Sequence, residues 1–346
     1  MFKTVLSLIA LAGVSFANAQ DTTSTPLSIS GSVDTYYKYD FAKVANIGTS
    51  FATDQNSVSL GMIDVALKKT TGKASFVGEV SFGPRGQYQS IPNGDGADGN
   101  SFHIQNLYAT YAFTDQFSMT AGYMGTFVGY EVISPVGNYN YSTSYLFTNG
   151  PFQNAGIKAN YALSSKVGVM VGLFNNTWNS YKAHPKLGVN TFGAQISLSP
   201  VEGWSAYLNL LTGDQSGTIV DLTTAYQITP MFKLGLNAAD FSVGEDLGGY
   251  TGVALYPQVS ITNGFGLGLR GEYFMSKDDV AGPTYSGVVP SESVVSLTLS
   301  GSLKAGGLTF IPEIRLDNGS VSQFMKENGS PTKSATQFSL AAVYAF

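Results

Sequence analysis

The chain has no cysteine, which excludes disulfides, thiolate metal centres and a lipid-modified N-terminal cysteine. Charge is scarce too: 12% of residues are Asp, Glu, Lys or Arg, against roughly 25% in soluble domains. Without that charge the exterior of a 346-residue chain cannot be solvated in the ordinary way. Long apolar runs are also missing, and no segment approaches the roughly 20 apolar residues of a membrane-crossing helix. Histidine is limited to His103 and His184, so acid–base chemistry has little to draw on. A charge-poor chain without helical spans can still meet lipid by turning half of its strand positions outward and closing its sheet.

Glycine (40), Phe (22) and Tyr (20) are abundant instead. Residues 1–19 read as an export signal, with Lys3 at the start, a short apolar stretch over 5–16, and Ala17-Asn18-Ala19 before Gln20. Its removal leaves a barrel region over 20–346 with 17 basic and 23 acidic residues, a net charge of −6. That balance argues against nucleic acid as a partner.

The last eleven residues place Phe338, Leu340, Ala342, Tyr344 and Phe346 on one parity and Gln337, Ser339, Ala341, Val343 and Ala345 on the other. That is a strand with one greasy face. A final strand ending in Phe resembles the terminal strand of bacterial outer-membrane barrels, which implies recognition of Phe346 by the barrel assembly machinery. The same alternation recurs over 27–41, 58–68, 73–82, 102–113, 117–124, 154–163, 167–175 and 190–198. It continues over 204–211, 218–228, 232–241, 250–261, 265–274, 293–303, 308–317 and 336–346. Between Leu60 and Ile63 the apolar parity slips, which predicts a β-bulge there or a strand that begins at Met62. The expected fold is all-β: a transmembrane antiparallel up-and-down β-barrel of about 16 strands, with short periplasmic turns and long extracellular loops. Phe113, Phe117, Trp204, Phe232, Phe265 and Phe346 fall near the short turns, and Tyr39, Phe41, Phe82, Phe192 and Tyr273 near the other strand ends, as two interfacial belts require.

The pattern calls for no cofactor or metal and for no enzyme. His103 heads a strand without a nucleophile motif beside it, and His184 precedes Pro185 in a loop, so both read as surface or loop residues. The run Asn93-Gly94-Asp95-Gly96-Ala97-Asp98-Gly99-Asn100 has calcium-loop oxygens without the closing bidentate Glu and reads as a solvated loop. The informative polar residues face inward. Arg270 and Glu272 share one strand, Glu313 and Arg315 another, and Asp34 and Lys38 lie on the first strand, across the closing seam, so one wall is expected to hold a band of paired opposite charges. Glu79 and Lys158 add inward charges elsewhere. Charge is costly on a lipid face and tolerated in a watery lumen, so these eight are expected to line a pore, either rigidifying its wall or biasing which solutes pass. Residues 125–153 form a loop too long and too aromatic for simple solvation. Its Tyr130, Glu131, Tyr139, Tyr141 and Tyr145 suit a constriction, although a lid without selectivity would use the same residues.

The stretch from Gly122 through Tyr161, with GYEVISP and NYSTSYLFTNGPFQNAGIKANY, resembles the OmpL-like β-barrel porins of Bacteroidetes-type bacteria. The opening GSVDTYYKYDF and the late IPEIRLDNGS are similar to the same group. That resemblance implies an outer-membrane porin, and it carries over no binding residues. The function expected is a passive diffusion channel for small hydrophilic solutes or ions in the cell outer membrane, surrounded by outer-membrane lipid. A sealed barrel with adhesive loops and, further off, an outer-membrane hydrolase are the rivals. Solute identity, the placement of the 125–153 loop and any oligomer are left open.

Overall fold

Lipid offers no partner to a backbone N–H or C=O, so a two-faced strand is stable there only when every edge is paired. The computed structural model, which describes residues 24–85, 102–176, 178, 180–214, 216–244, 247–277 and 287–346, meets that condition by closure. The first eight strands are β1 (Ser28–Asp40), β2 (Ser57–Thr71), β3 (Ala74–Phe82), β4 (Phe102–Ala112), β5 (Phe117–Gly125), β6 (Gln153–Ala162), β7 (Val167–Asn175) and β8 (Val189–Leu198). They continue as β9 (Trp204–Gly213), β10 (Gly217–Gln227), β11 (Phe232–Ser242), β12 (Gly249–Ser260), β13 (Phe265–Ser276), β14 (Ser293–Ala305) and β15 (Leu308–Gly319). A small hairpin, β16 (Phe324–Met325) and β17 (Pro331–Thr332), stands in the last loop before β18 (Ser334–Ala345).

Each barrel strand pairs antiparallel with its neighbours in the chain, and β18 pairs with both β15 and β1 to close a 16-stranded barrel. In the closing seam Val33 faces Tyr344 and Tyr37 faces Leu340. All sixteen expected strands have counterparts, with ends that agree within three residues. The bulge read at Leu60–Ile63 is present, where the β1–β2 ladder shifts opposite Val33 and Thr35. A second shift, between Glu79 and Val80 in the β3–β4 ladder, left no comparable slip in the alternation. The export signal and the 93–100 run lie outside the described residues.

The short turns lie at one end of the barrel and the long loops at the other. Two of the tightest turns, 72–73 and 306–307, place Gly72 and Gly306 at φ of +56° and +63°, a region that costs a side-chain-bearing residue more than glycine. Outward positions are mostly apolar; on β14 Val295, Leu297, Leu299 and Leu303 are all exposed. Inward positions on the same strand, Ser296, Thr298 and Ser300, are buried. The main apolar cluster sits inside the barrel toward the long-loop end and includes Leu211, Ile219, Phe241, Tyr250, Phe274 and Val294. Burial there, in a chain that exposes its greasy residues outside, means that something fills that half of the lumen.

Placing a charge on the outward face tests which surface meets lipid. Leu299→Arg, at the centre of β14, is expected to cost about 2–4 kcal/mol, read as a shift in the urea midpoint for folding into lipid vesicles. An unchanged midpoint would contradict the assignment of that face.

Candidate functional site

The segment 126–152, between β5 and β6, folds into the lumen as a strap. It leaves β5 beside Phe127, whose carbonyl accepts from Gln195 Nε2 at 3.3 Å, and crosses to β10, where Gly129 N donates to Asp221 at 3.0 Å. Tyr130 then stacks on Tyr256 of β12, ring centres 4.3 Å apart. A 3-10 turn, Pro135–Gly137, reaches the seam, and a short helix α1 (Tyr145–Asn149) lies against β12 and β13. Ser144 caps α1, its hydroxyl accepting from Phe147 N, as a Ser at the N-cap should.

Residues 140–144 run irregularly and 145–146 open α1, whose first N–H groups have no partner within the helix, so these backbone groups need partners from outside any ladder. The wall supplies them. Glu313 accepts from Tyr141 N at 2.8 Å, Ser142 N at 3.1 Å and Ser300 Oγ at 2.7 Å. Glu272 accepts from Tyr145 N at 3.0 Å and Leu146 N at 2.8 Å. Arg270 donates to Glu131 at 2.8 Å, to the Ser142 and Thr143 carbonyls and to Thr298 Oγ1. Arg315 donates to Asp317 at 2.8 Å, to Thr143 O at 2.8 Å and to Thr49 Oγ1 at 3.1 Å. Glu131 also takes Ser144 N and Oγ, at 2.7 and 2.9 Å. Hydrogen bonds to charged groups are worth about 1.5–3 kcal/mol each, so this set outweighs the roughly 1–2 kcal/mol per residue needed to order the backbone of a short segment.

Glycine makes room for the strap. A Cβ at inward-facing Gly235 of β11 would collide with the Tyr130 ring, and one at Gly266 or Gly268 of β13 with Tyr139. Gly252 of β12 likewise seats Leu146. The loop 41–56 packs on the strap from the mouth. Phe51 meets Phe147 and Phe152, Ser50 accepts from Thr143, and Arg85 lies between the rings of Phe51 and Tyr141 at 4.9 and 4.8 Å while pairing with Asp34 at 3.1 Å. The phenols of Tyr141 and Tyr145 donate to Asp34 and Asp317 at 2.6 and 2.7 Å. Burial pushes both phenols well above the ordinary value of 10.0, and those of Tyr130 and Tyr139 up to about 12. All four therefore remain protonated at neutral pH.

Several expectations need correction. Arg270 pairs with Glu131 and not Glu272, and Arg315 with Asp317 and not Glu313, because the strap's own donors and acceptors claim both glutamates. Asp34 and Lys38 do not pair either; Lys38 donates to Thr53 O at 2.9 Å. Asp34, Lys38, Arg270, Glu272, Glu313 and Arg315 are at most 2% exposed, so they do not line an open bore; Lys38 holds the 41–56 loop and the other five hold the strap. Glu79 and Lys158, on β3 and β6, are half-buried and face the remaining space. Tyr141 and Tyr145 present no hydroxyl to solutes, and the residues of the strap that stay exposed include Gly129, Val132 and Val136. Arg85, Thr49 and Asp317 were not anticipated. Asp317 shares the inward parity of Arg315 and was readable; Arg85 and Thr49 sit in loops, where parity gives no direction.

A family model described as "Putative beta-barrel porin-2, OmpL-like" matches residues 26–346. Curated protein sequences give no match. Among solved structures, the chain is similar to the outer membrane channel DcaP of Acinetobacter baumannii, with 13% identity over 92% of this chain and 97% of that one and a TM-score of 0.60. It is similar to an anion-selective porin from Comamonas acidovorans, with 12% identity over 94% and 100% and a TM-score of 0.62. It is also similar to OmpF of Salmonella typhi in complex with daunomycin, with 12% identity over 92% and 97% and a TM-score of 0.61. At these identities the likeness is one of fold.

Removing one partner of a buried ion pair costs about 3–5 kcal/mol, whereas replacing both with apolar residues is often close to neutral. Glu131→Ala is therefore expected to release the strap to limited proteolysis, and Glu131→Leu with Arg270→Met to restore most of the protection. Equal sensitivity in both variants would contradict the pairing.

Proposed function

Because the chain belongs to the OmpL-like β-barrel porin-2 family, we propose that it is a passive diffusion channel of the outer membrane whose bore is narrowed by the strap. One observation carries this: the strap is bound along β10–β15, β18 and β1, while the facing wall stays wet. The strap touches β7 and β8 through Phe127, while inward Glu79, Tyr108, Lys158, Asn160 and Tyr207 of β3–β9 are all half-buried. A polar wall opposite a fixed partition suits small hydrophilic solutes, which exchange hydration water for hydroxyl, amide and charged groups as they pass.

The strap sets the width and its apolar lip, Val132 and Val136, gives solutes nothing to bind, so discrimination by size dominates on that side. Outer-membrane lipid covers the apolar belt. No catalysis is assigned. His103 is fully buried opposite Ser81, and the ring of exposed His184 accepts at Nδ1 from Lys186 N in its own loop, at 3.3 Å.

Liposomes containing the purified protein are expected to swell in small sugars and not in large oligosaccharides. Replacing 130–146 by a flexible linker is expected to raise conductance in planar bilayers and admit the larger sugars. Folded protein that gives neither swelling nor conductance would overturn the channel.

A further inference from the structure

The lumen's charges are sorted along the barrel axis. Among the described residues, inward carboxylates lie at mid-strand or toward the long loops, and each has donors. Asp64 takes Ser32, Glu79 takes Asn106 Nδ2 at 2.6 Å, and Asp221 takes Gly129, Asn209 and Asn237. Those under the strap are held as described above. The short-turn half holds a different set. Lys68 lies on β2 just before the 72–73 turn, Lys233 on β11 just after the 228–231 turn, and Lys304 on β14 just before the 306–307 turn. Lys158 stands at the middle of β6.

All four alternate inward, and their side chains make no hydrogen bond or ion pair with another described residue. Lys68 and Lys304 are exposed and Lys158 and Lys233 half-buried. Among the described residues no inward carboxylate lies as near its short turn as Lys68, Lys233 and Lys304 do, and Lys158 stands at mid-strand. The nearest, Glu79, is bound to Asn106 and lies diagonally across the β2–β3 ladder from Lys68. Side chains on the turns change little, since Lys73 and Lys166 are offset there by Asp115 and Glu202. The bias is local, because the chain as a whole carries a net charge of −5.

We infer that Lys68, Lys158, Lys233 and Lys304 make the inner half of the lumen an anion-collecting vestibule, so that the channel passes small hydrophilic anions, of the carboxylate and phosphate-ester type, in preference to cations. This rests on the channel function proposed above and adds the solute class. A confined aqueous space lined by charge of one sign raises the local concentration of the opposite ion. The carboxylates under the strap compete weakly, because Arg85, Arg270 and Arg315 are buried among them and pair with Asp34, Glu131 and Asp317. An ammonium also offers three donors to a carboxylate or phosphate oxygen.

Reversal potentials across planar bilayers in a KCl gradient test this. Wild-type protein is expected to show a chloride preference. Joint substitution of Lys68→Gln, Lys158→Gln, Lys233→Gln and Lys304→Gln is expected to abolish it, and Lys158→Glu alone to weaken or reverse it. A potassium preference in wild-type protein, or a selectivity unchanged in the fourfold variant, would overturn the inference and leave the channel standing. Absence of any conductance would overturn the channel itself and this inference with it. The wild-type reading needs no variant to fold.

Discussion

A guanidinium or carboxylate removed from water is costly unless every donor and acceptor is met and its charge is balanced. The interior of this barrel holds Arg270, Arg315, Glu131, Glu272, Glu313 and Asp317 with 7% exposure or less, and the arrangement of the lumen follows from satisfying them. The wall alone cannot do so, because its backbone groups are committed to the ladders. An irregular segment has free N–H and C=O groups and the opposite need. Residues 140–146 and the β13–β15 wall therefore complete each other, and the strap has one place in which the backbone N–H groups of Tyr141, Ser142, Tyr145 and Leu146 and the carbonyls of Ser142 and Thr143 are met.

That fit sets the shape of the passage. Gly235, Gly266 and Gly268 lower the wall where Tyr130 and Tyr139 lie, so the strap sits close and leaves the other side clear. The aromatic contacts among Tyr145, Phe274, Tyr250 and Phe241 give the filled half a packed interior, which holds the helix α1 against β12 and β13. On the facing side Tyr108, Lys158, Asn160 and Tyr207 stay half-buried. One barrel thus contains a dry half that provides rigidity and a wet half that provides the path.

The fold was legible in the chain because period-two alternation is a local signal, repeated often enough to count strands and to expose the bulge at Leu60–Ile63. The export of apolar side chains to one parity also placed Arg270, Glu272, Glu313 and Arg315 inside correctly. Their partners were not legible. Pairing across the lumen depends on where a loop goes, and neither the 126–152 segment nor the 41–56 loop has a periodicity that fixes its direction. Same-strand neighbours were the natural guess for Arg270, and the guess failed because Glu131, far away in the chain, reaches it first. Asp317 could have been included, since it lies two positions from Arg315. The small inward residues of β11–β13 were also visible, but glycine is common here and only the rings above these positions distinguish them.

The central claim is that the strap is a fixed partition, docked on β13, in the conducting protein. Since the chain has no cysteine, a single engineered pair reports without background. Tyr139→Cys with Gly268→Cys places two thiols where the ring and the glycine now touch. The account predicts that a disulfide forms readily in the folded protein and that conductance is the same before and after reduction. Failure to form it, or a conductance that changes on reduction, would show that the strap lies elsewhere when the channel is open.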